Sequence, residues 1–277
     1  MNPLISADSL ADELRSAAAR PVLFDVTWNL AGPPGRDAYD AGHLPGAYFV
    51  DLDAELAGPP GAGGRHPLPE ASVVEAALRR AGVDADTRVV VYDGANSTAA
   101  ARAWWTFRYF GLSDVRVLDG GLAGWQEAGG EVTTAVPSEG KGSFVASPGH
   151  VPMLDAQGAA AVAESGVLLD ARAPERFAGA VEPMDKVAGH IPGAVNAPTT
   201  ANVDATGHFL PAEELRERFA GLGVSAERET AVYCGSGVTA AHEALALEIA
   251  GVQAPVYVGS WSEWITDPSR PIATGKD

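Results

Sequence analysis

Short apolar runs alternate with helical stretches along the whole chain. Val22-Leu23-Phe24 runs into Asp25, and Val167-Leu168-Leu169 runs into Asp170. Each reads as a buried strand ending in an aspartate. Val89-Val90-Val91-Tyr92 and Thr230-Ala231-Val232-Tyr233 read as two more strands, each entering a turn of small residues. Alanine-rich segments follow them, and these predict helices over Thr98 to Phe110 and Val238 to Ala250. The first twenty residues read as an amphipathic helix. Ser72-Val73-Val74-Glu75 has the spacing of a capping box. Pro211 suits a helix's first turn, with Glu213 and Glu214 beside the positive end of the dipole. Strands alternating with helices predict an α/β fold, a mainly parallel sheet flanked by helices. Ligands of such sheets sit beyond the carboxyl ends of the strands, where Asp93 and Cys234 stand.

The pattern occurs twice. Gly42-His43-Leu44-Pro45-Gly46-Ala47 is matched by Gly189-His190-Ile191-Pro192-Gly193-Ala194, and Gly120-Gly121-Leu122-Ala123-Gly124-Trp125 by Gly259-Ser260-Trp261-Ser262-Glu263-Trp264. With the two strand pairs, four landmarks recur in the same order, offset by 139 to 147 residues. That is a tandem duplication with loops of unequal length. Glu131 to Pro152, rich in Gly, Ser and Pro, suits a linker across the surface. The expected division is a first domain over 1–135, a linker over 136–152 and a second domain over 153–277.

Composition narrows the function. Nineteen basic against 36 acidic residues give a net charge of −17 across 277 residues. Such a surface repels phosphate backbones and argues against nucleic acid as a partner. No apolar run is long enough for a membrane span. There is one cysteine, Cys234, so neither an intrachain disulfide nor a cysteine-based zinc cluster can form. With no basic and apolar leader at the start, the expected location is a reducing cytoplasm.

The neighbours of Cys234 carry the chemistry. In Cys234-Gly235-Ser236-Gly237-Val238-Thr239-Ala240 a strand ends at the cysteine and a helix begins within a few residues. The glycines let the backbone curl and turn N–H groups inward, so that amides and helix dipole stabilise an anion at the loop centre. A thiolate there is a nucleophile. A phosphatase of this loop type needs an arginine six residues after the cysteine, and Ala240 stands there. Sulfur transfer needs only a cradle for a terminal persulfide sulfur.

These stretches together identify a resemblance. The two GH[LI]PGA segments, the GSWSEW segment and the CGSGVTA loop resemble the tandem rhodanese-type sulfurtransferases over essentially residues 5 to 270. The loop resembles that of 3-mercaptopyruvate sulfurtransferases, whereas thiosulfate-preferring members carry basic residues where Gly235 and Ser236 stand. The resemblance implies two rhodanese-like α/β domains. It matches Cys234 to the sulfur-accepting nucleophile and Ser236 to a serine assisting proton transfer. Asp53 and His66 match an acid and a histidine grouped with that serine, and Arg176 an arginine holding the donor carboxylate. Gly235, Gly237, Val238 and Thr239 complete the loop that receives the donor. A small-molecule sulfur donor and a thiol, thioredoxin or cyanide acceptor are implied, and no metal or organic cofactor. Thiosulfate as donor, or a sulfur-carrier module docking a protein acceptor, are the alternatives.

Two departures follow. A second arginine is expected nine residues after Arg176, but Met184-Asp185-Lys186 occupies that stretch, and Lys186 substitutes only if the loop shifts. Asp93 stands in the first copy where the second has Cys234, which implies a silent first domain. Its loop, Asp93-Gly94-Ala95-Asn96-Ser97-Thr98, differs enough to predict that it does not present the same ring of amides. His43 and His190 recur in both copies and read as structural, bonding their own turn. Trp125, Trp261 and Trp264 read as core. Trp28 fits a cleft wall or the core.

Overall fold

The structure, a computed structural model, describes residues 2–16 and 20–275. The described chain forms two compact units. One comprises the chain up to Gly58, Leu68–Val151 and Asp204–Phe209; the other comprises Pro59–Pro67, Pro152–Val203 and the chain from Leu210 onward. Two short excursions are thus exchanged: Pro59–Pro67 packs with the second unit, and Asp204–Phe209 with the first.

The first unit holds β1 (Leu4–Ile5), α1 (Ala7–Arg15), β2 (Val22–Asp25), α2 (Gly35–Ala41), β3 (Tyr48–Phe49) and α3 (Leu52–Glu55). These are followed by α4 (Ala71–Arg80), β4 (Val89–Tyr92), α5 (Thr98–Tyr109), β5 (Val115–Leu118) and α6 (Gly121–Glu127). The second unit holds β6 (Met153–Leu154), α7 (Ala156–Ser165), β7 (Val167–Asp170), α8 (Pro174–Phe177) and β8 (Val195–Asn196). A 3₁₀ turn at Thr199–Ala201 then leads to α9 (Ala212–Gly221), β9 (Thr230–Tyr233), α10 (Val238–Ile249), β10 (Val256–Tyr257) and α11 (Ser260–Trp264). The sheets are parallel throughout, in the orders β1-β5-β4-β2-β3 and β6-β10-β9-β7-β8.

The duplication extends to register and packing. Asp25 pairs with Tyr92 and Asp170 with Tyr233 at equivalent rungs. Each tyrosine hydroxyl accepts an amide from the GH[LI]PGA turn, Leu44 N at 3.0 Å and Ile191 N at 3.1 Å. The recurring histidines are structural, but they bond the preceding helix and not their own turn. His43 Nδ1 meets Tyr39 O and His190 Nδ1 meets Phe177 O, both at 2.8 Å, and each ring stacks on that residue with centroids 3.8 Å apart. Burying these polar atoms is tolerable because each finds a partner. Trp125, Trp261 and Trp264 lie in the two cores, as expected.

Three local expectations change. Within the expected N-terminal helix, Leu4–Ile5 form a strand before α1, which Ser6 caps by accepting Ser9 N at 3.2 Å; residues 1 and 17–19 of that expected helix lie outside the described residues. Glu70, with no side-chain cap bond, is the N-cap of α4, so Ser72 and Glu75 sit inside the helix and form no capping box. Pro211 is the N-cap of α9, with Glu213 and Glu214 in the first turn. The stretch expected as a surface linker is laid down on the first unit. Thr133 bridges His43, the amides of Gly140 and Gly142 bond the carbonyls of Arg80 and Arg79, and Phe144 is buried. Side chains at Gly140 and Gly142 would collide with the backbone at Gly82 and Val83, so glycine permits this close approach.

Candidate active site

Strand β9 ends at Tyr233 and α10 begins at Val238, leaving four residues for a tight loop. Gly237 takes φ +84°, a left-handed conformation that favours glycine, and this turns the chain around the Cys234 sulfur. The amides of Gly237 and Ser236 point at Sγ from 3.1 and 3.4 Å. They face the point where a thiolate's charge would reside. Cys234 itself is buried, 1% exposed.

The segment at the start of α11 fastens the loop from behind. Cys234 N donates to Ser260 Oγ at 3.1 Å, and that hydroxyl donates to Tyr257 O at 2.8 Å. Trp261 N and Ser262 N bond the carbonyls of Cys234 and Gly235, both at 2.9 Å. Ser260 adopts φ +53°, uncommon for a residue with a side chain, and its hydrogen bonds hold it there. The GSWSEW segment therefore serves as a buttress for the cysteine loop as well as core.

Ser236 is buried, and its Oγ lies 2.7 Å from His66 Nδ1. His66 arrives on the Pro59–Pro67 excursion. That excursion is closed by reciprocal amide–carbonyl bonds between Gly61 and Gly64, both 3.0 Å, and docked by Arg65 N on Ser262 Oγ at 3.0 Å. Gly64, at φ +97°, fits so closely that an added Cβ would stand 2.7 Å from Ser262 Oγ and 2.8 Å from Gly259 O.

Arg176, in α8, is gripped by carboxylates. Its Nε and Nη2 bond Glu182 at 3.1 and 2.7 Å, and Nη2 also reaches Asp185 at 3.2 Å. Burial alone would raise the Glu182 carboxyl; Arg176 and the amides of Met184 and Asp185 hold it below its usual value. Glu182 also faces Arg172 Nη1 at 3.5 Å, and Arg172 is locked on Asp170 at the end of β7. Asp185 in turn pairs with Arg65. An alternating chain of three carboxylates and three guanidiniums thus runs Asp170, Arg172, Glu182, Arg176, Asp185, Arg65. Lys186 is exposed.

The second unit thus brings Cys234, Gly235, Ser236, Gly237, His66 and Arg176 together, with Val238 and the half-buried Thr239 opening α10. Asp53 belongs to the first unit. It lies in the first turn of α3, which Asp51 caps, and its carboxylate accepts the half-buried Trp28 indole N–H at 3.0 Å. Arg65, Ser260 and Asp185's pairing were not foreseen from the sequence. Arg65 carried one usable signal, a cation directly before His66.

The first unit's equivalent loop overturns one expectation. It does turn its amides inward, onto the Asp93 carboxylate. Oδ1 accepts Ala95 N at 3.1 Å and Ser97 N at 3.0 Å; Oδ2 accepts Ala99 N at 2.9 Å and Ala100 N at 3.1 Å. Ser97 takes the left-handed turn, φ +61°, that Gly237 takes in the second copy. The cradle is conserved in shape, and the chain's own carboxylate fills it.

Comparison with known proteins agrees with this architecture. The model of the "Rhodanese-like domain" matches residues 6–128 and 154–267. A Mycobacterium tuberculosis protein named "Putative thiosulfate sulfurtransferase SseB" is 45% identical over 280 residues, covering 98% of this chain and 97% of that protein. A Pseudomonas aeruginosa protein named "Probable 3-mercaptopyruvate sulfurtransferase" is 44% identical over 281 residues, covering 98% of each. The crystal structure of SseA from Escherichia coli, described as a 3-mercaptopyruvate sulfotransferase, superposes with a TM-score of 0.82 at 33% identity, covering 95% of this chain and all of that one.

Proposed function

Since this chain belongs to the rhodanese family, as two tandem rhodanese-like domains, we propose that it is a sulfurtransferase that takes sulfur from 3-mercaptopyruvate onto Cys234 and passes it to a thiol or to cyanide. The Cys234 thiolate attacks the donor sulfur. The donor's C–S bond breaks, its electron pair leaves on the pyruvate enolate, and Cys234 becomes a persulfide. The enolate takes a proton and departs as pyruvate. An acceptor nucleophile then attacks the outer sulfur, the S–S bond breaks, and the Cys234 thiolate returns. With cyanide the product is thiocyanate; thioredoxin is the protein acceptor this reading carries.

One contact favours mercaptopyruvate over thiosulfate: Ser236 Oγ on His66 Nδ1 at 2.7 Å. An enolate leaving group must be protonated, and a hydroxyl backed by an imidazole beside the sulfur can deliver that proton. Thiosulfate leaves as sulfite, which needs none at neutral pH. Arg176 supplies a guanidinium suited to the donor carboxylate. Among the described residues no helix is long and apolar enough to cross a membrane, and a cytoplasmic location fits the lone thiol.

The test compares kcat/KM for the two donors at one acceptor concentration, with intact mass after donor treatment. The expected result is one added sulfur and a higher value for mercaptopyruvate. Preference for thiosulfate reverses the choice of donor. Low values with both point to a sulfur-carrier module.

A further inference from the structure

The position where a second arginine was expected carries Asp185, yet the site does not lack a second guanidinium. A Cβ built on Gly235, next to Cys234, would lie 3.0 Å from Arg65 Nη2 and 3.4 Å from both Nη1 and Nη2 of Arg176. Both guanidiniums therefore overlie the cysteine loop at a residue with no side chain of its own. Asp185 ties them together, one carboxylate oxygen on Arg65 and the other on Arg176. Arg65 Nε is buried without a hydrogen-bond partner. A buried guanidinium N–H left without an acceptor is costly, and an oxygen of a bound anion would satisfy it. The backbone of Arg65 is fixed by Ser262 Oγ and by the tight seat of Gly64, so its position is built into the fold.

We propose that Arg65 is the second donor-recognition residue of this site, and that Asp185 is an internal counter-carboxylate which an anionic donor must displace. This rests on the reading that the loop takes an anionic sulfur donor. Glu182 keeps Arg176 oriented in either state, because it also holds Nε, whereas Asp185 touches only the Nη2 that the two carboxylates share. Asp185 is the group shared by both arginines, so its removal frees both at once. A carboxylate and a sulfur oxyanion offer the same chemistry to the pair, and Asp185 competes with either.

The test is equilibrium binding of pyruvate and of sulfate, by calorimetry, to the full chain carrying Cys234→Ser. Asp185→Asn in that background should tighten both anions by about 5-fold or more, and Arg65→Gln should weaken both by about 10-fold. A gain of affinity cannot come from misfolding, so the first variant protects the test against a damaged second. In the active enzyme Asp185→Asn should lower the donor KM. Unchanged affinity in either variant, or no binding of either anion to Cys234→Ser itself, overturns the proposal. Shifted anion affinities in a chain whose wild type transfers no sulfur would sink the sulfurtransferase reading and leave Arg65 and Asp185 as an anion site alone.

Discussion

His66 reaches Ser236 across 170 residues of sequence, with Nδ1 2.7 Å from Oγ. If that pair delivers the proton to the leaving enolate, its loss must depend on the donor. Ser236→Ala and His66→Gln should each lower kcat with mercaptopyruvate by about 100-fold or more. Turnover of thiosulfate should fall far less. Steady-state rates with both donors check this, and an equal loss with both donors would assign the pair a purely structural role.

Cys234→Ser should give no donor-derived mass increase while the fold persists. Serine keeps the size and the hydrogen bonds of the loop but is a poor nucleophile at neutral pH. Intact-mass spectra before and after donor treatment decide it, with circular dichroism confirming the fold. An added sulfur on the variant would place the sulfur elsewhere in the chain.

Gly64→Ala is a test of how the histidine is delivered. The added methyl meets Ser262 Oγ and Gly259 O, and the residue would be held at φ +97°. Both penalties act on the short loop that carries Arg65 and His66. Sulfur transfer should drop at least 10-fold with only a modest fall in melting temperature, since the core elements of the second unit are untouched. Near-normal kcat/KM would show that the loop accommodates the methyl.

The duplicated fold was legible because strand periodicity and the paired GH[LI]PGA and Trp-bearing segments are local signals. So was Cys234, whose neighbours must be small for amides to converge on sulfur. Arg65 was not, because its contact with Gly235 depends on a nine-residue excursion packing with the second unit. The linker is irregular and mostly exposed, as its composition suggests, but its docking on the first unit was hidden for a related reason. Its glycines and prolines look like punctuation, yet Gly140 and Gly142 are small because they lie against the backbone of Gly82 and Val83. The Asp93 loop was misread because its sequence differs from the second copy's, yet Ser97 makes the left-handed turn that Gly237 makes there.

Asp93 gives a stability prediction and a chemical one. Its carboxylate satisfies four backbone N–H groups in a buried loop. Asp93→Ala should destabilise the first unit by about 3 kcal/mol, the cost of stranding buried donors. Asp93→Cys in a Cys234→Ser background should still acquire no sulfur from the donor, though for a reason other than loop shape. The pocket beside this loop is lined by Thr27, Trp28, Asn29, Leu30, Ala31 and the loop itself, with no cation among the described residues that line it. A persulfide on that introduced thiol would falsify the expectation that the first unit takes up no sulfur.

Glu243 links pH to stability in the second unit. It is fully buried in α10, where Asn202 Nδ2 donates to it at 2.7 Å and Arg218 pairs with it at 3.3 Å. Desolvation outweighs both partners and pushes the carboxyl up to about 7 from an ordinary 4.5. The folded state therefore binds a proton that the unfolded state has already released between those values. Stability from this group is fully present below about pH 4.5 and is lost as pH rises toward 7. Glu243→Gln imitates the protonated form and removes that dependence. Denaturant melts of both proteins at pH 5 and pH 8 should show the glutamine variant gaining on wild type at the higher pH, by roughly 1–3 kcal/mol. A stability difference that does not change with pH would mean that Arg218 keeps Glu243 ionised throughout.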